Sequence, residues 1–271
     1  MDKNPTNYMR TSAELFYNHL TFDPPTYPDH SLHTHNAYEL LYIVNGDVTH
    51  IVEDRKYKLK SGDLVIIPPL QFHTLQIDSG ACYERYNILF DPDSHGIPSV
   101  KRMPLTLEVL NISNNRLATD IFRRLDVYFK NCDQDTFFML LPHMLSELFY
   151  NLSTFPQIRI DESDTASPLI SKALDYINKN LFTLKNVEEI SAYLFVSESY
   201  FFRLFKSELH QTPKKYIMDK RLLRAQKMIS EGEKPVAVCD MCGFGDYTTF
   251  YRNYTAFFGH SPSEERSMIL K

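Results

Sequence analysis

The chain has 271 residues, 43% of them hydrophobic, which is enough for two domains that each bury a core of their own. A formal charge of -5 argues against nucleic acid as a partner of the whole surface, but 14 basic and 22 acidic residues precede Pro168, against 15 and 12 from there on. No apolar run reaches membrane-span length, the start lacks the regions of an export signal, and Cys82, Cys132, Cys239 and Cys242 do not form a secreted disulfide framework, so no membrane partner and a cytoplasmic location are expected.

In chain order, residues 1–22 carry no informative pattern and are a candidate arm that closes over a pocket. Short strands are predicted over 39–44, Val48–Val52, 57–59, 64–67 and 82–90, with turns at Asn45-Gly46 and Ser61-Gly62-Asp63. Many short strands with close-set turns predict a barrel or double-sheet roll. Strand alternation puts His33, His35 and Glu39 on one side, where they can converge with His73. His33-Thr34-His35 with Glu39 resembles the first motif of the cupin family, and Gly62, Pro68 and His73 follow the order of the second. Leu70 stands where that motif usually has glycine, and no asparagine follows His73 four positions later. Two readings stay open for these four residues. They can ligate a divalent metal of the zinc, iron or manganese kind, or they can bind a small-molecule effector with no cofactor required; the departures favour the second. Arg85, Tyr42 and Gln71 are expected to border the same cavity.

Two helices follow. Residues 118–131 place Ile121, Phe122, Leu125 and Phe129 in helical phase, and residues 137–152 do the same with Phe138, Leu141, Leu145, Leu148, Phe149 and Leu152. The second stripe needs cover, from the barrel or from a second copy of the chain. Residues 154–167, with the acidic run Asp161-Glu162-Ser163-Asp164, read as a linker. The expected divisions are a sensing and dimerisation domain over 1–160, a linker over 161–168 and a helical domain over 169–271.

The last hundred residues hold one pattern twice, offset by 49 positions. Phe201-Phe202-Arg203-Leu204-Phe205-Lys206 lies over Phe250-Tyr251-Arg252-Asn253-Tyr254-Thr255, and Leu209, Thr212 and Pro213 then meet Phe258, Ser261 and Pro262. In the first copy Asn186 and Glu189 form a capping box for a helix over 187–194, and Ser197 caps a second helix over Glu198–Leu209 with Phe201, Leu204, Phe205 and Leu209 inward. The second copy runs through 236–242, a turn at Gly243-Phe244-Gly245, and a helix capped by Asp246 and packed through Phe250, Tyr254 and Phe257. Each copy reads as a helix-turn-helix whose second helix enters the major groove of duplex DNA. Ser199, Phe202, Arg203 and Lys206 form the outer face of the first reading helix; Tyr247, Thr248, Tyr251 and Arg252 form that of the second. Arg203 and Arg252 can each bond a guanine edge twice, and Phe202 can pack on a thymine methyl. Phosphates are assigned to Lys206, to helix-start amides and to Lys220, Arg221, Arg224 and Lys227 of the connecting helix over 213–231. Nineteen residues at about 1.5 Å each span roughly 28 Å, close to the roughly 34 Å of one DNA turn.

From about residue 170 to 266 the chain resembles the AraC/XylS family of bacterial transcription regulators. The matching positions are Ser197, Tyr200, Arg203, Phe205-Lys206, Arg221, Ala225, Gly243-Phe244, Phe250, Arg252 and Gly259-His260-Ser261-Pro262. It departs from the pattern in having Thr255 for lysine, Tyr254 for phenylalanine, Ser191 and Cys239 for alanine, and His210 for glycine. The resemblance implies an α+β two-domain protein: a cupin-like barrel with following helices, then an all-α domain of two helix-turn-helix units joined by a long helix. It implies a transcriptional regulator of the activating kind, not an enzyme, with double-stranded DNA, RNA polymerase, a second copy in a homodimer and a small-molecule effector such as a sugar as partners. Alternatives are a cupin metalloenzyme fused to a DNA-binding module, and a regulator controlled by a protein partner. Cys239 and Cys242 have CxxC spacing, but they fall within a short helix without a second pair, so packing is expected of them rather than zinc.

Overall fold

A computed structural model describes residues 7–12, 15–22, 32–78, 80, 82–91, 107–162, 164–165 and 167–269. The chain divides into two compact units, Met1–Val52 with Lys56–Asp164, and Thr165–Lys271 with Glu53–Arg55.

The first unit is built on a sheet of β1 (Asn7–Thr11), β2 (Leu15–Phe22), β8 (Tyr83–Phe90), β3 (Tyr38–Asn45), β6 (Asp63–Ile67), β9 (Glu108–Asn111) and β10 (Ile158–Arg159), neighbours in that order. A second sheet carries β5 (Arg55–Leu59), β4 (Val48–Val52) and β7 (His73–Ile77). The central strands of the large sheet are buried on both faces, which is why β3 reads as a near-continuous apolar run instead of alternating with polar residues. Leu41, Ile43, Val65 and Ile67 face Val48, Val52, Tyr57 and Leu59 of the second sheet and form the interior of a double-sheet roll. The alternate residues Tyr38, Leu40, Leu64, Ile66 and Ile88 turn the other way, against α1 (Arg116–Asn131) and α2 (Gln134–Thr154). Asn115 and Asp133 cap these helices by accepting from Ala118 and Thr136 amides. Ile121, Phe122 and Leu125 of α1 meet Phe137, Leu141, Leu145, Leu148 and Phe149 of α2 in that same core.

Three expectations are corrected. The described part of residues 1–22 is not an arm: β1 and β2 are strands of the large sheet, β2 pairing with β8 from Leu15↔Phe90 to Phe22↔Tyr83. Residues 154–167 are not all linker, since α2 runs to Thr154 and β10 pairs with β9. Tyr42 faces the helices, stacked on Phe122 at 4.4 Å between ring centres, and does not border the interior.

The second unit comprises α3 (Pro168–Asn180), α4 (Glu188–Tyr193), α5 (Glu198–Leu209), α6 (Pro213–Ser230), α7 (Pro235–Met241), α8 (Tyr247–Phe258) and α9 (Pro262–Ile269). Ser197, Thr212 and Asp246 cap α5, α6 and α8, and Pro213 occupies the first turn of α6, where a missing amide costs nothing. α4 starts one residue later than expected. Asn186 still accepts from the Glu189 amide, but Glu189 reaches back to Lys185 rather than to Asn186 itself. A full reciprocal box occurs at α9, between Ser261 and Glu264. Phe201, Phe205 and Tyr216 pack edge to face around α5, and Phe250, Tyr254, Leu222, Ile229, Val238 and Cys242 form the matching cluster around α8. Phe257 is exposed, contrary to expectation, and Phe258 packs in its place. Leu204 is only half-buried.

Candidate functional site

Burial of every fourth residue fixes which face each reading helix offers. In α5, Phe201, Phe205 and Leu209 are buried, so Ser199, Phe202, Arg203 and Lys206 are left exposed. In α8, Phe250 and Tyr254 are buried and Thr248, Tyr251 and Arg252 are exposed; Tyr247 is half-buried against Phe250. The helices end differently. Gly259 closes α8 in the left-handed region at φ 79°, whereas His210 takes the same conformation after α5 at φ 56°, a strain that glycine would not carry. Tyr254 sits wholly inside, and its hydroxyl donates to Glu265 of α9 at 3.1 Å, so this departure from the family pattern serves the core and lies away from the exposed face.

The connecting helix corrects the phosphate assignment. Lys220 and Arg221 are buried, Lys220 donating to Asn178 at 2.9 Å and Arg221 to three backbone carbonyls. Only Arg224 and Lys227 of the four basic residues are part-exposed. Cys239 and Cys242 are core residues: the Cys242 thiol lies 3.7 Å from the Met228 sulfur, and burial pushes it up to about 11.

In the first unit His33, His35, Glu39 and His73 each offer one ligand-type atom, all within 4.8 Å of one another. Their convergence does not come from strand alternation, because only Glu39 lies on β3. His33 is held by an isolated bridge to His73, with amides and carbonyls exchanged at 3.1 and 2.9 Å, and His35 sits in the loop between. The tautomers follow from the backbone. His35 Nδ1 faces the Ala37 carbonyl and His73 Nδ1 the Gln71 carbonyl, each at 2.9 Å; carbonyls only accept, so both Nδ1 atoms carry protons. The two Nε2 atoms then point at one oxygen of Glu39, from 3.0 and 2.8 Å. Burial raises the Glu39 pKa, but hydrogen bonding from His35 and His73 outweighs it and holds the carboxyl well below its ordinary value. Three electron-rich atoms facing one another need positive charge between them, supplied by protons on the rings or by a divalent cation. Imidazole and carboxylate donors of this kind suit zinc, iron or manganese.

Residues 12–118 match a model described as an AraC-like ligand binding domain, and residues 190–268 match one described as a helix-turn-helix domain. The chain belongs to the AraC family of transcriptional regulators. It is 24% identical over 251 residues to the "Raffinose operon transcriptional regulatory protein RafR" of Pediococcus pentosaceus, covering 90% of each chain. It is 34% identical over 96 residues to the "Probable transcriptional regulator LumQ" of Photobacterium leiognathi, covering 35% of this chain and 39% of LumQ. With the "Lactose operon transcription activator" of Staphylococcus xylosus it shares 28% identity over 130 residues, 47% of this chain and 47% of that one. The match to LumQ and to the lactose activator thus spans less than half of either protein.

In this AraC-family chain the sequence reading missed two residues of the sensing unit. His50, 1% exposed, has its ring 6.1 Å from that of His73, and burial followed by the neighbouring His73 charge drives its pKa down to about 3, so it is neutral. Asn87 donates to the second oxygen of Glu39 at 2.8 Å. The signal for His50 was present in β4, where it lies in phase with the inward residues Val48 and Val52. Arg85 shares the inward phase of Asn87 on β8. Among the described residues no helix is long and apolar enough to cross a membrane.

Proposed function

We propose that the chain activates transcription by reading duplex DNA with α5 and α8 while its first unit binds a small molecule beside His33, His35, Glu39 and His73. The observation that carries the DNA reading is the repeated placement of an exposed arginine, Arg203 and Arg252, on the outer face of each second helix. Phe202, Ser199, Tyr247, Thr248 and Tyr251 flank them as base or sugar contacts, and Lys206 as a phosphate contact. The 18 residues of α6 span roughly 27 Å at about 1.5 Å each, a length suited to heads in successive grooves. For the effector, a buried His50 nitrogen and the Asn87 side-chain oxygen find no hydrogen-bond partner among the described residues, a cost of about 1–3 kcal/mol each that a polar ligand relieves. The raffinose and lactose operons named for two relatives support a carbohydrate. Such a ligand controls the regulator by binding its conformations unequally, with no catalytic turnover. A homodimer through exposed apolar residues of α1 and α2 such as Val127 and Met139, RNA polymerase as the responding partner, and a cytoplasmic setting complete the reading.

The test is selection of duplexes from a randomised pool by the full chain, then binding of Arg203→Ala and Arg252→Ala to the selected site. Each variant is expected to lose about 1–3 kcal/mol and to relax base choice at one position. Unchanged binding by both would falsify the assigned reading faces. A second reading, a divalent ion held by the four residues, is favoured by the two Nε2 atoms aimed at one carboxylate oxygen while both Nδ1 atoms are committed to backbone carbonyls. Metal counting after chelator treatment and zinc or manganese reloading decides it: one ion per chain in the wild type and none in Glu39→Gln supports metal, and none in either removes it.

A further inference from the structure

Arg221 lies at the ninth position of α6, midway between the two heads, and its guanidinium is buried. Its Nε donates to the carbonyl of Leu181 at 2.7 Å, one terminal nitrogen to the carbonyl of Gly243 at 2.8 Å, and the other to the carbonyl of Leu184. Leu181 is the C-cap of α3 and Leu184 lies in the loop leading to α4, so both belong to the first head. Gly243 follows the C-cap of α7, in the turn of the second. Two helix C-termini, each carrying the negative end of a helix dipole, therefore aim at one cation. Among the described residues no carboxylate pairs with it, so carbonyl dipoles alone hold the charge, and burial lowers its pKa. The backbones touch at the same point: Gly243 has φ 75°, and a Cβ there would stand 2.3 Å from the Phe182 carbonyl oxygen. A planar fork with donors in fixed directions suits three carbonyls from two segments, whereas the single ammonium of a lysine does not.

We infer that Arg221 is a positioning residue that locks the first head to the second through these carbonyls and so sets the spacing between DNA half-sites that the chain accepts. The inference rests on the two-head reading above. It makes no claim that Arg221 touches DNA.

The test uses the full chain and a bipartite duplex selected from a randomised pool, with versions carrying one base pair more or fewer between the half-sites. One base pair shifts a half-site by about 3.4 Å and about 35° around the helix. The wild type is expected to lose about tenfold or more in affinity on either altered duplex. Arg221→Lys should bind the parent site more weakly yet lose less than about threefold on the altered ones, with affinity for isolated half-sites unchanged. A spacing penalty that stays as steep in Arg221→Lys as in the wild type overturns the inference while leaving the two-head reading intact. Failure of the wild type to select any bipartite site overturns both. If Arg221→Lys does not fold, Gly243→Ala disturbs the same junction with the arginine present; it must flatten the spacing penalty, and a penalty like that of the wild type overturns the inference.

Discussion

Asp126→Ala tests how α1 is fastened to the large sheet. The Asp126 carboxylate of α1 accepts from Tyr17 at 2.8 Å and Tyr86 at 2.9 Å, and lies 2.9 Å from His19 Nδ1, whose other nitrogen is 2.9 Å from Glu84. Tyr17 is 0% and Tyr86 5% exposed, so removing the acceptor leaves two hydroxyls stranded, at about 1–3 kcal/mol each. Water reaches part of the gap, because the Asp126 side chain is 21% exposed, while His19 loses a charge partner. The expected loss is about 3–5 kcal/mol, measured by urea unfolding followed by near-ultraviolet dichroism of the tyrosines, and by hydrogen exchange of β2 and α1 peptides. The pH dependence has a definite sign. Burial lowers the His19 pKa, but hydrogen bonds to Asp126 and then Glu84 outweigh it and leave the pKa raised above 6.5. Its contribution is therefore complete below 6.5 and fades as pH rises through the raised folded value, and Asp126→Ala should flatten that decline. A variant within about 1 kcal/mol of the wild type, or one that keeps the full alkaline decline, refutes the reasoning.

Three further outcomes are expected. Lys206→Ala should weaken binding evenly across sequences and reduce the slope of log affinity against log salt by about 0.9; a base-specific loss would move Lys206 off the phosphates. His210→Gly should stabilise the helical unit by up to about 1 kcal/mol in thermal unfolding, since only the left-handed strain is removed, and destabilisation would show that the ring makes a necessary contact. Tyr254→Phe should cost about 1 kcal/mol by calorimetry through loss of the hydroxyl bond to Glu265, with DNA affinity at saturating folded protein unchanged.

The helical unit was legible because its signals are local. Ser197 and Asp246 cap where their side chains predict, and the spacing of Phe201, Phe205 and Leu209 identifies the inner face without reference to anything distant. The convergence of His33, His35, Glu39 and His73 was also expected, although a bridge and a loop produce it rather than one strand. What escaped depends on partners far along the chain. β2 contains Asn18 and His19, polar residues that break an apolar strand pattern and become acceptable only beside Tyr8, Glu84 and Asp126. Lys220 and Arg221 look like solvated cations in sequence, since nothing local shows that α3 and the α7–α8 turn cover that face of α6.

Double-sided burial of β3 ties chemistry to register. Because Glu39 points between the sheets and Leu40 toward the helices, sliding this strand by a single residue would swap an anion for an isobutyl group in both compartments at once. Lengthening or shortening the Asn45-Gly46 hairpin is therefore closed as a route to new ligand preference. Within β3 and β8, the changes that keep this arrangement are exchanges of side chains at odd-numbered positions on an unshifted backbone.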